Sequence, residues 1–220
     1  MPDGYNKIFG IGLPRTGTTS LARALESYGI ETIHFPFDLY DEGLDAPVIE
    51  ENTAFVDTPV PMLYQGLDQR CPESKFILTV RDKEGWLESM EWLRTEGRKI
   101  WPPDPKRERY KRDFYGTDDF DRDVLSEKFD AYHEEVNRYF EGREADLLRL
   151  NIIDSSSTAA LVDFLGLEVD PKPWPRANAS RKANLMQELA HQFEKRGFRA
   201  PGAFIRRIDS GLRRRLRHDS

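Results

Sequence analysis

A glycine-rich segment, Gly12-Leu13-Pro14-Arg15-Thr16-Gly17-Thr18-Thr19-Ser20, follows an apolar run that begins at Ile8. After it, Leu21, Leu25 and Tyr28 recur at helical spacing, which predicts a strand, a loop and a helix in that order. Glycines let such a loop curl so that successive N–H groups point inward, and a helix N-terminus adds about half a positive charge. The segment is therefore predicted to bind a phosphate or a related anion.

The spacing of Gly12 and Gly17 matches the NTPase pattern G-x-x-x-x-G-K-[ST], but Thr18 stands at the lysine position. The run from Ala54 to Asp57 also has the form of an apolar strand that ends in a magnesium-binding aspartate. An ATP-using, Walker-type kinase is therefore one interpretation of the sequence. The missing lysine counts against it.

A second candidate phosphate site follows the apolar run from Phe76 to Val80. Arg81 follows that run directly, and Ser89 lies eight residues further on, within a helical pattern. A guanidinium offers a planar fork for a phosphate, and a serine about two helical turns later presents a hydroxyl toward the same side. A salt bridge between Arg81 and Asp82 at the strand end is the alternative explanation.

The run from Pro14 to Ser20 resembles the 5′-phosphosulfate loop of sulfotransferases that use 3′-phosphoadenosine 5′-phosphosulfate (PAPS). The resemblance is to the small enzymes of that family, in which arginine often stands at the basic position of the loop. It implies a fold similar to nucleotide kinases and a donor held without a catalytic metal. It also implies that Arg81 and Ser89 bind the 3′-phosphate. The implied loop ligands of the donor are Pro14, Arg15, Thr16, Gly17, Thr18, Thr19 and Ser20.

Two later segments are similar to the same family. Residues 147–151 and 161–167 resemble its last core strand and the helix after it, and residues 174–178 resemble a segment that closes on the nucleotide. That resemblance makes Arg176 a further donor ligand. Ser20 stands where the cytosolic enzymes carry a tryptophan that stacks on adenine, so adenine must be held otherwise. Trp86 is a candidate, with a place in the core as the alternative.

The implied reaction is in-line transfer of a sulfuryl group from PAPS to an acceptor hydroxyl or amine, with Arg15 stabilising the charge on the leaving group. Removal of the acceptor proton needs a group that titrates near neutral pH, and His34 is such a group. Its place after the second strand is similar to that of the family's base. Asp38 and Asp57 are rival bases, and a core histidine is the alternative role for His34. A nucleotide-binding protein without turnover is a further interpretation.

Alternating strand and helix patterns predict an α/β fold with a parallel sheet of about five strands flanked by helices, a three-layer sandwich like that of P-loop nucleotide kinases. The predicted strands lie near residues 31–35, 53–57, 75–80 and 147–152, besides the first one from Ile8. Helices are expected near 60–70, 83–96 and 123–141, the last with a buried face of Leu125, Phe129, Tyr132, Val136 and Tyr139. The carboxyl ends of parallel strands share one edge, where the predicted site residues should meet.

A chain of 220 residues with 38% hydrophobic and 33% charged residues is expected to fold as one domain, because chains split only beyond about 250–300 residues. We assign residues 1–194 to it. Within them, residues 91–146 form a helical and loop insertion on the acceptor side. Its part between Gly97 and Asp123 is expected to be an irregular loop over the sheet edge, whose aromatic residues hint at an aromatic or lipid-like partner.

Residues 195–220 carry nine Lys or Arg against two Asp, whereas the rest of the chain is acidic. An acidic body argues against nucleic-acid binding. Residues 204–220 have the pattern of a basic amphipathic helix, which would lie on an anionic membrane, dock on the domain or guide an anionic acceptor. With no long apolar run, secretory signal or Cys-rich metal spacing, we expect a cytoplasmic protein without a metal. The acceptor, whether a small molecule, a lipid or a saccharide, is left open.

Overall fold

Short apolar runs form one parallel sheet in the computed structural model, which describes residues 5–100, 102–152 and 157–175. Within these residues the sheet has five strands in the order β2-β3-β1-β4-β5, and every neighbouring pair is parallel. The strands are β1 (Ile8–Gly10), β2 (Thr32–His34), β3 (Ala54–Val56), β4 (Lys75–Thr79) and β5 (Leu147–Leu150). The predicted α/β class is confirmed.

Helices connect the strands and cover both faces of the sheet. They are α1 (Thr18–Ser27), α2 (Leu39–Glu42), α3 (Val48–Glu51), α4 (Val60–Arg70), α5 (Lys83–Arg94), α6 (Glu96–Ile100), α7 (Pro105–Tyr115), α8 (Arg122–Tyr139) and α9 (Ser157–Phe164). There are also two short 3₁₀ turns in the described residues. Gly43–Asp45 lies between α2 and α3, and Glu144–Asp146 lies between α8 and β5. The predicted face of α8 is buried at Leu125, Phe129, Tyr132 and Val136, and Tyr139 is half-buried.

Alternation along the strands divides the core into two layers, because successive side chains of a strand point to opposite faces. Phe9, Phe55 and Phe76 lie side by side on one face, where their rings contact each other and α4, α5, α7 and α8 pack. Ile8, Val56 and Ile77 point to the other face, which α1 and α9 cover. The sheet with helices on both sides is the predicted three-layer sandwich.

The strand order has its topological switch point beside β1, where successive connections run to opposite sides of the sheet. The chain moves from β1 to β2 and β3 on one side, then crosses to β4 and β5 on the other. In open α/β sheets, ligands bind in the crevice at the carboxyl ends of the strands where such a switch occurs. The glycine-rich loop that follows β1 lies at this point.

The segment between Gly97 and Asp123 is not the irregular loop that its composition suggested. Residues Pro105–Tyr115 form the helix α7, which packs against α8 and, through Tyr110, against Phe37. Asp104 caps the helix and proline stands in its first turn, a start signal that the dense charge of the segment obscured. Tyr110, Phe114 and Tyr115 are buried, so they belong to the core and not to an exposed aromatic surface.

Several predictions fall on residues that the structure does not describe. They concern Trp101, the proposed donor ligand Arg176, and the basic segment 195–220 with its amphipathic pattern. The boundary between a domain at 1–194 and this segment stays a prediction.

The cap of α7 gives a test of this helix. The Asp104 carboxylate accepts a hydrogen bond of 3.0 Å from the Arg107 N–H. We expect Asp104→Ala to lower the free energy of unfolding by about 1 kcal/mol, measured by urea denaturation. Asp104→Asn keeps a capping oxygen and should lie within a few tenths of wild type. Equal stability of the alanine and asparagine variants would contradict this role of Asp104.

Candidate active site

The loop after β1 is held close against β4 at Gly12. A Cβ atom at this position would lie 1.8 Å from the Thr79 hydroxyl, so no side chain fits there. At the other end of the loop, Gly17 has φ 107°, a left-handed conformation that favours glycine, and α1 begins directly after it. Gly17 itself has no side chain that could cap this start. The first N–H groups of α1, which an α-helix leaves without an intrahelical acceptor, are therefore available to a ligand.

Four carbonyl groups of the same loop accept hydrogen bonds from side chains. Tyr132 of α8 donates to the Ile11 carbonyl at 2.6 Å, and Trp86 of α5 donates to the Pro14 carbonyl at 2.9 Å. The Leu13 carbonyl accepts from the Thr16 hydroxyl at 2.6 Å, within the loop itself. Arg81 donates to the Arg15 carbonyl at 3.2 Å. These bonds fix the path of the loop from three different elements.

Arg15 brings the two sequence motifs together. Its Nε donates to the Ser89 hydroxyl at 2.7 Å, although the two residues are 74 positions apart. Its guanidinium also lies 5.6 Å from the centre of the Trp92 ring, a cation–π distance. Arg15 adopts φ 74°, which is rare for a residue with a side chain and points to a position fixed by its surroundings.

His34 and Asp57 form a pair at the ends of β2 and β3. The Nε2 atom of His34 lies 3.1 Å from Asp57 Oδ2 and 3.4 Å from the Thr19 hydroxyl. Asp57 also accepts a hydrogen bond of 2.6 Å from the Thr18 hydroxyl and one of 2.6 Å from the Thr58 N–H. The first turn of α1 and the ends of two strands therefore share one hydrogen-bond network.

The environment of Asp57 lowers its pKa. Burial of the carboxyl by itself raises the pKa, but the hydrogen bonds and charge of His34, with the donors Thr18 and Thr58, outweigh this effect. The net pKa lies below the ordinary value of 3.8. Asp57 is therefore ionised at neutral pH and accepts hydrogen bonds only.

The other predicted residues occupy different positions. Ser20 is buried in the first turn of α1, and Asp38 is exposed at the start of α2, with no capping bond from its side chain. Trp86 is fully buried and donates to Pro14, so the core role is the one that the structure supports. Trp92 was not singled out from the sequence. Its place three residues after Ser89, on the same face of α5, is the signal that would have found it.

A family model for the sulfotransferase domain matches residues 7–183, and the chain therefore belongs to this family. A similar curated protein is the Ava biosynthesis cluster protein M of Aspergillus versicolor, which is 29% identical over 108 residues. The match makes up 39% of this chain and 42% of that protein, so the chain spans less than half of its relative. The predicted family is confirmed, whereas the roles of single residues stay predictions.

The described residues contain no group of three or more His, Cys, Asp or Glu side chains placed to hold a metal ion. None of the helices in this part of the chain is long and apolar enough to cross a membrane.

The lowered pKa of Asp57 predicts how stability depends on pH. A carboxyl whose pKa is lower in the folded state stabilises the protein above its unfolded pKa, here 3.8, and this contribution is lost as the pH falls through the folded pKa. We expect Asp57→Asn to be less stable than wild type by about 1–3 kcal/mol at neutral pH, because bonds to a charged group are lost. The difference should shrink below about pH 4.

Urea midpoints measured across this pH range give the comparison. Asp38→Asn is the matched control, because this exposed aspartate caps no helix through its side chain. It should follow wild type at every pH. A deficit of Asp57→Asn that stays constant into acid would contradict the stabilising role of the ionised carboxylate.

Proposed function

We propose that this protein is a sulfotransferase that moves a sulfuryl group from PAPS to a hydroxyl or amine of a small molecule. The contact between Arg15 and Ser89, with Arg81 on the Arg15 carbonyl, carries the proposal. These residues belong to the loop and the strand end that resemble the 5′-phosphosulfate and 3′-phosphate sites. Because β1 and β4 are neighbours in the sheet, the fold brings these two segments together beside the start of α1, where a nucleotide phosphate would bind.

The chemistry of these donors fits the nucleotide. The N–H groups at the start of α1 and the positive end of its dipole favour an anion at Gly17 to Thr19. The hydroxyl of Thr18 donates to Asp57, so the Thr18 main chain is the part of the residue that would hold the 5′-phosphate. The Arg15 and Arg81 guanidinium groups supply positive charge on the side of Ser89.

PAPS supplies an activated sulfuryl group, whose bond to the bridging oxygen of the nucleotide breaks as a bond to the acceptor forms. Negative charge then grows on that bridging oxygen. Arg15 and the N–H groups of α1 are fixed before the reaction, and so they stabilise this charge without reorganisation. The sharp path of the loop, set by its four bonded carbonyls, keeps these donors in place.

His34 is the proposed base, and Asp57 is proposed to position it. Asp57 is an ionised acceptor, so the His34 Nε2 atom carries the proton that is shared with it, which leaves Nδ1 as the basic nitrogen. Proton transfer from the acceptor makes an imidazolium, and the adjacent carboxylate stabilises its charge. A carboxyl with a lowered pKa is a weak base, which argues for His34 over Asp57 in this role.

A small-molecule acceptor agrees with the biosynthetic cluster named for the similar protein of Aspergillus versicolor. The helices of residues 91–146 lie next to the His34–Asp57 pair through Tyr110, and we propose that they form the acceptor side.

A Walker-type kinase would instead need ATP with magnesium, and a nucleotide-binding protein without turnover would bind the donor and transfer nothing. Both are outcomes of the experiments below.

Nucleotide binding gives the first test of the donor site. Adenosine 3′,5′-bisphosphate, the product of PAPS, should stabilise the protein by about 2.7 kcal/mol at about 100 times its dissociation constant. ATP with magnesium should stabilise it much less. We expect Arg81→Ala and Ser89→Ala each to lower the affinity for the bisphosphate by at least about tenfold, because each removes a ligand of the 3′-phosphate. Calorimetry measures the affinities.

The control for this test is Arg149→Ala. Arg149 is an exposed arginine on the edge strand β5 that bonds to Asn137, and its removal should leave nucleotide affinity unchanged. Preferential stabilisation by ATP and magnesium would favour the kinase. Unchanged bisphosphate affinity in both site variants would remove Arg81 and Ser89 from the donor site.

Turnover with labelled PAPS tests the base. His34→Ala should reduce turnover by at least about 100-fold while bisphosphate affinity is retained, because proton removal is lost and the donor site is intact. Asp57→Asn should cause a smaller loss and shift the pH profile, since it changes only the orientation and charge of the imidazole environment. Asp38→Asn should remain close to wild type. Near-normal turnover of His34→Ala would exclude His34 as the base.

A further inference from the structure

Three buried side chains on the insertion carry polar atoms that lack hydrogen-bond partners. Tyr110 and Tyr115 of α7 are 3% and 4% exposed, and Arg94 at the end of α5 is 3% exposed. Across the described residues, both phenol oxygens and the Nε and Nη2 atoms of Arg94 have no partner. Burying an unsatisfied donor is costly, and folded proteins satisfy nearly all of them. Four such atoms in one place indicate a role outside the fold itself.

The three side chains form a continuous row that leads to the proposed base. The Arg94 guanidinium lies 4.8 Å from the centre of the Tyr115 ring. The Tyr115 and Tyr110 rings meet edge to face, with 6.3 Å between their centres. The Tyr110 phenol lies close to the Thr58 side chain, and both phenols interact electrostatically with Asp57. The row therefore ends beside the His34–Asp57 pair.

Arg94 is a buried cation that forms no direct ion pair within the described residues, although Glu108 and Asp118 are close enough to interact with its charge. Its Nη1 atom donates to the Thr117 and Asp119 carbonyls at 2.9 and 2.6 Å, and within the described part of the chain no carboxylate lies within 4.0 Å of it. The nearby carboxylates are engaged elsewhere, since Glu108 pairs with Arg98 and Lys111, and Asp118 pairs with Arg112. An unpaired buried charge is strongly unfavourable. A bound anion would supply the missing ion pair.

The unsatisfied edge of Arg94 has the shape of a carboxylate site. Nε and Nη2 form the side edge of the guanidinium, whose two parallel N–H groups match the two oxygens of a carboxylate. Burial raises the pKa of both phenols above their ordinary value of 10, so each remains a neutral donor at physiological pH. The row thus offers four donor groups and one positive charge.

We propose that Arg94, Tyr110 and Tyr115 form the acceptor subsite and bind a carboxylate of an acceptor whose hydroxyl or amine lies at His34. This inference rests on the proposed sulfotransferase function and names its substrate class as a hydroxy or amino acid. The three side chains are closed to solvent, so the packing around them must open for the acceptor to enter. The acceptor restores the hydrogen bonds and the charge balance that the fold alone leaves incomplete.

Tyrosine-to-phenylalanine variants separate this role from a structural one. Tyr132 is the matched control, because it is a buried tyrosine of the same cluster whose hydroxyl donates to the Ile11 carbonyl. Tyr132→Phe should lower the melting temperature, since it leaves a buried carbonyl unsatisfied. Tyr110→Phe and Tyr115→Phe remove hydroxyls without partners. They should therefore leave the melting temperature equal or higher, while they lower the affinity for the acceptor.

The probes are hydroxyphenyl alkanoic acids of increasing chain length and their neutral amides. Calorimetry on protein saturated with adenosine 3′,5′-bisphosphate measures their binding, which needs no turnover. We expect at least one acid to bind about tenfold tighter than its amide. Arg94→Gln should reduce this preference to about twofold or less, and Tyr115→Phe should weaken binding of the acid, both with unchanged bisphosphate affinity.

Two results would overturn the subsite. The first is a wild-type protein that binds no acid of the series more tightly than its amide. The second is acid binding that is unchanged in Tyr115→Phe together with a preference for the acid that survives in Arg94→Gln. Loss of bisphosphate binding in wild type would instead refute the donor site, so failure of the proposed function is a separate observation.

Discussion

The close approach of the β1–α1 loop to β4 is the constraint on which the candidate site depends. Gly12 leaves no room for a side chain against Thr79, and the loop can then turn sharply enough to start α1 at Gly17. With its carbonyls bonded to Tyr132, Trp86 and Arg81, the loop presents the start of a helix to the crevice. A fixed main chain matters here because an anion held by N–H groups tolerates little displacement.

The same loop couples the proposed donor site to the proposed base. Thr18 in the first turn of α1 donates to Asp57, and Asp57 in turn accepts from His34. The helix that would bind the 5′-phosphate and the imidazole that would remove the acceptor proton are thus joined through one carboxylate. Such a link holds the two reacting ends in a fixed relation, because the carboxylate and its donors lie in a buried environment where hydrogen bonds are strong.

The insertion has a different physical character from the rest of the domain. Its exposed side carries many ion pairs, such as those of Lys99 with Glu96 and of Arg112 with Asp118, which add little stability individually. Its inner side has buried aromatic rings together with polar atoms that the fold does not satisfy. A segment that is well packed and yet incompletely bonded is suited to a binding role, since the ligand can supply the missing interactions.

The sequence by itself determined the five strands and several of the helices between them, the phosphate-type loop from Gly12 to Ser20, and the family. These features depend on local patterns, namely apolar periodicity, glycine spacing and residues that follow a strand. Only the tertiary structure decided that Arg15 meets Ser89, that His34 pairs with Asp57, and that residues 105–115 form a helix with a buried inner face. Contacts between distant segments depend on the order of strands in the sheet and on side-chain packing, which no local pattern specifies. In α7 the local pattern was itself misleading, because the charges needed for its solvent face outnumbered the aromatic residues that hold it to the core.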